Sequence, residues 1–316
     1  MDATFAFIGF GEAGAAFAGG SAAFGYDRKT DEPSLRATKL HDFTRAGVTA
    51  CADAAEAIGR AGAILSVVTA DQALAAARSG ASSIAAGTFW FDMNSVAPDT
   101  KRDAATLIEA SGGRYVDVAV MAPVHPARRA VPLLLSGPHA GIGAKMLTAF
   151  GFTNVTVLAG PVGAASSIKM IRSVMVKGLE ALTAECFLAA EKAGVAGEVA
   201  ASLDAGWPDI DWADKADYNL DRMMVHGLRR AAEMEEVVKT LDALGTGSAM
   251  TRGTVERQRA IGVLGLTPPE GLKAKCTALS PLVSSDVEKQ ASRAGFSTSL
   301  ETNGGFTIPD QEADPA

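Results

Sequence analysis

Apolar residues in the first half of the chain fall into short runs separated by polar, helix-forming stretches. Residues 4–8, 22–26, 48–50, 63–68, 89–92, 115–120, 132–135 and 155–158 are such runs. They are apolar throughout rather than alternating, the pattern of strands buried on both faces. Between them, 12–18, 34–46, 54–60, 71–78, 99–110 and 141–150 read as helices. Ser34 and Asp53 are expected N-caps, Gly47 follows the second helix, and Pro98 leads into the fifth. Regular alternation of strand and helix predicts a mostly parallel sheet covered by helices on both faces.

After Gly160 and Pro161 the pattern changes. Residues 166–193 form one long helical segment without proline, followed by helical segments at 197–203, 213–244 (with internal breaks) and 248–262. From 267 onward Pro, Ser, Gly and charge increase, which predicts a loosely held tail. The expected fold is therefore an α/β Rossmann-like N-terminal domain, a doubly wound sheet over 1–160. An all-α domain over 161–265 and a tail over 266–316 complete it.

Composition narrows the classes. Hydrophobic residues make up 48% of the chain and charged residues 21%. That balance reads as a folded globular protein. A formal net charge of −7 argues against a nucleic-acid partner, which needs clustered Lys and Arg. Cys51, Cys186 and Cys276 have no paired spacing. Neither a disulfide framework nor a zinc site is expected, and a reducing, cytoplasmic setting is the default. The four histidines show no metal-ligand spacing, and no metal is expected. The apolar N-terminal stretch through Gly25 lacks a basic n-region, carries Asp2 and Glu12 and is broken by glycines. It is not read as a signal peptide. No run is long and apolar enough to span a membrane. A small-molecule substrate is the expected partner.

The sharpest motif is Gly9-Phe10-Gly11-Glu12-Ala13-Gly14, a G-x-G-x-x-G between the first strand and the first helix. Gly9 would permit the turn, Gly11 the approach of a diphosphate, and Gly14 close helix–strand packing. The helix N-terminus offers free N–H groups to the phosphates. Asp27, at the end of the second strand, is the candidate partner of the adenosine ribose. Arg28 and Lys29 follow it and could instead hold a 2′-phosphate. The acid favours NAD over NADP slightly. Thr69 is a further candidate cofactor contact.

Three more blocks carry a family resemblance: Asp92-Met93-Asn94-Ser95-Val96-Ala97-Pro98, Asp117-Val118-Ala119-Val120-Met121-Ala122-Pro123, and the segment from Gly160 through Gly163 to Lys169. Their order and separations resemble the β-hydroxyacid dehydrogenase superfamily, which includes 6-phosphogluconate and 3-hydroxyisobutyrate dehydrogenases. The chain is most similar to a 6-phosphogluconate-dehydrogenase-like branch with a distinctive small C-terminal domain. The resemblance covers residues 4–264. It implies an NAD(P)-dependent enzyme acting on a hydroxy acid or related compound, and a homodimer. It also implies Lys169 as catalytic lysine, Asn94 or Ser95 at the nicotinamide end, and Met121, Ala122 and Pro123 along the substrate cleft. Departures from the family pattern imply an uncommon substrate. Lys169 is followed by Met170-Ile171-Arg172-Ser173 rather than by paired asparagines, and the family's later Lys-Asp pair is His226-Gly227.

A lysine can serve as base for alcohol oxidation and acid for carbonyl reduction if burial or nearby cations lower its pKa. Arg172 lies one helical turn after Lys169, and Ser173, Lys177 and Glu180 continue the polar stripe. Arg172 is the candidate for binding a substrate carboxylate and for keeping Lys169 deprotonated; the alternative is a solvated helix face. Ser173, His125 and His226 are further candidate substrate contacts. Met223 and Met224 read as packing residues. Two rival functions stand beside this reading: an imine or ketone reductase on the same fold, and a dinucleotide-binding sensor without catalysis.

Overall fold

The computed structural model describes residues 4–282. Its N-terminal half runs β1 (Phe5–Ile8), α1 (Glu12–Ala18), β2 (Ala23–Tyr26), α2 (Pro33–Ala46), β3 (Val48–Ala50), α3 (Ala54–Gly59), β4 (Ala63–Ser66), α4 (Ala73–Ala81), β5 (Phe89–Asp92), α5 (Pro98–Ala110), β6 (Arg114–Val120), β7 (Leu133–Ser136), α6 (Ala140–Ala149) and β8 (Val155–Val157). The eight strands form one sheet in the order β3-β2-β1-β4-β5-β6-β7-β8, parallel at every pairing except β6 with β7. Period-two geometry sends alternate side chains to opposite faces. Phe5 and Phe7 of β1 enter one core, with Phe10, Phe17, Phe43 and Phe91. Ala6 and Ile8 enter the other, with Ile58, Ile64, Trp90 and Tyr115.

Strand order reverses between β1 and β4. The crevice that binds ligands in doubly wound sheets therefore opens at the carboxyl ends of these strands. That edge receives each N-terminal motif. The glycine loop follows β1, Asp27 follows β2, Thr69 follows β4, Asn94 and Ser95 follow β5, and Met121 follows β6.

The second half is helical: α7 (Ala164–Ala193), α8 (Ala196–Gly206), α9 (Trp212–Ala243), α10 (Ala249–Gly262) and α11 (Leu272–Ala278). α9 packs along both α7 and α10. Gly227 and Gly262 bring the α9 and α10 backbones into contact: a Cβ on Gly227 would lie 2.5 Å from the Gln258 carbonyl oxygen. A larger side chain at either position would separate the helices. Met223 and Met224 are core residues, as their spacing suggests.

Three expectations need correction. Helix α2 starts with Pro33 after Glu32, so Ser34 is inside the helix rather than its cap. Proline's fixed φ suits a first turn. Helix α9 runs unbroken from Trp212 to Ala243, because burial of its apolar face overrides the local interruptions. Residues 272–282 of the expected tail are docked: Cys276, Leu279 and Leu282 are buried in the helical core. The rest of that tail, beyond Leu282, lies outside the described residues. No described helix is long and apolar enough to cross a membrane.

Candidate functional site

The glycine loop has the shape a diphosphate needs. Gly9 has φ +86°, and a Cβ there would meet the Val67 carbonyl oxygen at 2.8 Å. Gly11 faces open space, with nothing within 4 Å of a built Cβ. Gly14 packs its Cα against the Phe10 ring and the Gly9 carbonyl. The Phe10 side chain is fully buried and stacks on Phe43, with ring centroids 4.2 Å apart, so only its backbone faces the loop's ligand side. Ala13 is half-buried, whereas Glu12 is exposed.

Asp27 does more than mark the end of β2. Its carboxylate accepts hydrogen bonds from the Phe10 N–H at 2.7 Å and the Lys29 N–H at 2.9 Å, tying the strand end to the glycine loop. The Arg28 and Lys29 side chains are exposed beside it, and Thr69 is exposed beyond β4. At the far end of the crevice Asn94 donates to Ser66 Oγ at 3.0 Å and to Asp92 at 2.8 Å. Its own carbonyl oxygen is buried without a partner among the described residues. An open cradle at Gly11 and an orphaned amide oxygen at Asn94 fit the two ends of a nicotinamide dinucleotide.

Lys169 lies in the second turn of α7, and its amine donates to Ser95 Oγ at 2.5 Å. The start of α7 is fixed by a buried charge network. Asp117, on β6, accepts from the backbone N–H groups of Gly163 and Ser166, both at 3.1 Å, and from Ser136 Oγ at 3.0 Å. A carboxylate there satisfies helix N–H groups that would otherwise lack partners and favours the positive end of the helix. Lys101, fully buried on α5, bridges Asp92 at 3.0 Å and Asp117 at 3.5 Å. Tyr115 donates to the other Asp92 oxygen at 2.7 Å. The sequence motifs contain both aspartates but do not reveal this role, and they leave Lys101 unmarked. The available signal is an acid opening each block, with a lysine three positions past Pro98.

Burial lowers the Lys169 amine to about 8, with Lys177, Lys101 and Arg229 adding to the effect and Glu233 opposing it. Arg172 is exposed and is not among the largest influences on it. The charges that tune it are Lys177, about two turns along the same helix, and Lys101, Glu233 and Arg229 from α5 and α9, brought close by the fold. The Glu233 carboxylate accepts from Lys177 Nζ at 2.6 Å. Burial pushes this carboxyl up, but Lys177 and Lys169 hold it down at about 2.

The polar stripe beyond Lys169 is not a solvated face. Ser173, Lys177 and Glu180 are buried against α9 and α10, where Glu180 binds Arg230 and Gln258. Ser173 Oγ donates to the Lys169 carbonyl. From α9, Glu236 accepts from the Ala97 N–H at 2.8 Å, beside Ser95, and Arg229 pairs with Glu12. His226, one turn before Arg229, is half-buried; burial and the guanidinium groups of Arg222, Arg229 and Arg230 lower its pKa. α9 therefore roofs the carboxyl edge of the sheet. Met121 is half-buried on the loop after β6, and Ala122, Pro123 and His125 are exposed there.

Residues 4–157 match the NAD-binding domain of 6-phosphogluconate dehydrogenase, and residues 190–261 match a domain of unknown function, DUF1932. A conserved hypothetical protein from Sinorhizobium meliloti 1021 is 37% identical, with a TM-score of 0.70 over 89% of this chain and 97% of that one. A conserved protein of unknown function, noted for structural similarity with 3-hydroxyacid dehydrogenases, is 28% identical, with a TM-score of 0.62 over 82% of this chain and 99% of that one. An uncharacterized 28.5 kDa protein of Methanothermus fervidus is 29% identical over 150 residues, which span 48% of this chain and 57% of that relative. With both domains matched in order and a homologue aligned over nearly its full length, the chain belongs to the family in which an NAD-binding domain of the 6-phosphogluconate dehydrogenase type precedes DUF1932.

Proposed function

We propose that this NAD(P)-dependent oxidoreductase interconverts the hydroxyl and carbonyl forms of a small hydroxy acid or related carboxylate-bearing compound, with Lys169 as acid and base. The observation that carries the reading is the Lys169 amine. It is half-buried, lowered to about 8, and held on Ser95 beside Asn94 at the carboxyl edge of the sheet. The cofactor supplies the hydride acceptor or donor. The glycine loop would hold its diphosphate, Asp27 its ribose, and Asn94 its carboxamide end.

Lys169 as neutral amine takes the hydroxyl proton during oxidation; as ammonium it returns that proton to a carbonyl oxygen during reduction. A pKa of about 8 leaves both forms populated at neutral pH. Ser95 fixes the direction of the amine, and Glu236, by binding the Ala97 N–H, fixes the loop that carries Ser95. Met121, Ala122, Pro123 and His125 border the open side as substrate contacts. Arg172 and His226 are the candidates for a substrate carboxylate. A slight preference for NAD follows from the acid at Asp27, and NADH binding more tightly than NADPH in titration would support it.

Replacing Lys169 by Met removes the proton carrier while keeping volume. Turnover against a hydroxy-acid panel is expected to fall about 10²–10⁴-fold with NADH affinity retained. Near-normal turnover would remove the lysine from the chemistry.

A further inference from the structure

Glu12 is the first residue of α1, directly after the open position Gly11. A carboxylate here opposes the ligand the loop is shaped for, because a bound diphosphate brings further negative charge to its side. An arginine distant in sequence faces it. Arg229 on α9, 217 positions away, donates through Nη1 to Glu12 Oε2 at 3.2 Å. The two side chains are 50% and 44% exposed, and among the described residues this is the one hydrogen bond of the Arg229 side chain. A guanidinium carries five N–H donors, so most remain free to meet a phosphate. The same group acts electrostatically on Lys169, Glu233 and His226, so its charge is felt at the lysine as well as at the glycine loop. An exposed ion pair of this kind adds little to stability, so bracing the two domains is a weak reason for it.

We propose that Arg229 is a diphosphate-binding residue contributed by the helical domain, and that Glu12 is the anion that holds it over the glycine loop until the cofactor arrives. On binding, the guanidinium turns part or all of its donor set from the Glu12 carboxylate to a phosphate oxygen. α9 thereby registers an occupied cofactor site and closes on it. The inference rests on the dinucleotide reading above.

The two members of the pair separate the possibilities by sign. Calorimetric titration would use NADH, ADP-ribose (which keeps the diphosphate but lacks nicotinamide) and adenosine (which lacks both). Arg229→Gln is expected to weaken NADH and ADP-ribose about tenfold, the loss of one charge-assisted contact, and to leave adenosine unchanged. Glu12→Gln is expected to tighten both diphosphates by roughly threefold, since it removes the repelling charge. Arg229→Lys should recover part of the loss, because a point charge remains without the planar fork. A simple interdomain brace behaves otherwise: both Gln variants break the same pair and shift binding in the same direction. That result, or NADH affinity unchanged in Arg229→Gln, overturns the proposal while leaving the cofactor site intact. A wild-type chain that binds no dinucleotide overturns the cofactor reading itself.

Discussion

A lysine amine lowered to about 8 sets the shape of the pH–rate curve. Oxidation needs the neutral amine, so kcat/KM in that direction is expected to rise with pH, level off above about 8, and fall below it. Reduction needs the ammonium and runs the opposite way. Glu233 is the one large influence that raises this pKa, so Glu233→Gln is expected to move both limbs to lower pH. Steady-state rates across neutral and alkaline pH check it, and a limb moving upward would contradict the assignment. At this scale the family resemblance and the preceding glycine segment singled out Lys169, whose amine lies on Ser95. Of the groups that tune it, Lys177 lies on the stripe visible in the sequence, whereas Lys101, Arg229 and Glu233 do not. Arg172 was the natural choice from helical spacing, but it is exposed to solvent. Glu233 lies 56 positions beyond Lys177 and meets it only because α9 folds back along α7.

Among elements, the decisive join lies between the sheet and the start of α7. Asp92 on β5, Lys101 on α5 and Asp117 on β6 form a fully buried group with a single cation between two carboxylates. Removing that cation leaves two buried acids without their partner. Lys101→Met is therefore expected to cost about 3–5 kcal/mol in stability, read by thermal or urea unfolding, whereas a loss under about 1 kcal/mol would show that the network does not anchor the helix. The strands and the first long helix were legible because continuous apolar runs and glycine boundaries are local signals. The unbroken course of α9 and the docking of α11 were not legible. Both follow from burial against other helices, as with Cys276 and Leu279, which neighbouring sequence does not encode.

For the molecule as a whole, α9 joins the two halves of the chain, reaching Glu12 after β1, Ala97 before α5 and Lys177 on α7. The helical half exposes Ile168, Ile171, Met175 and Leu182 of α7 and Val225 and Leu228 of α9. Apolar exposure on this scale supports the expected homodimer. Light scattering at micromolar concentration is expected to give twice the 32.4 kDa chain mass, and a monomer would contradict it. Above all, the proposed chemistry requires a nicotinamide ring and the Lys169 amine to share one cavity under α9. A crystal structure with NAD(H) and a hydroxy acid tests this most directly. The amine is expected within hydrogen-bonding reach, roughly 2.6–3.2 Å, of the reacting oxygen. An amine more than about 10 Å from the ring, beyond direct proton transfer, would contradict the account.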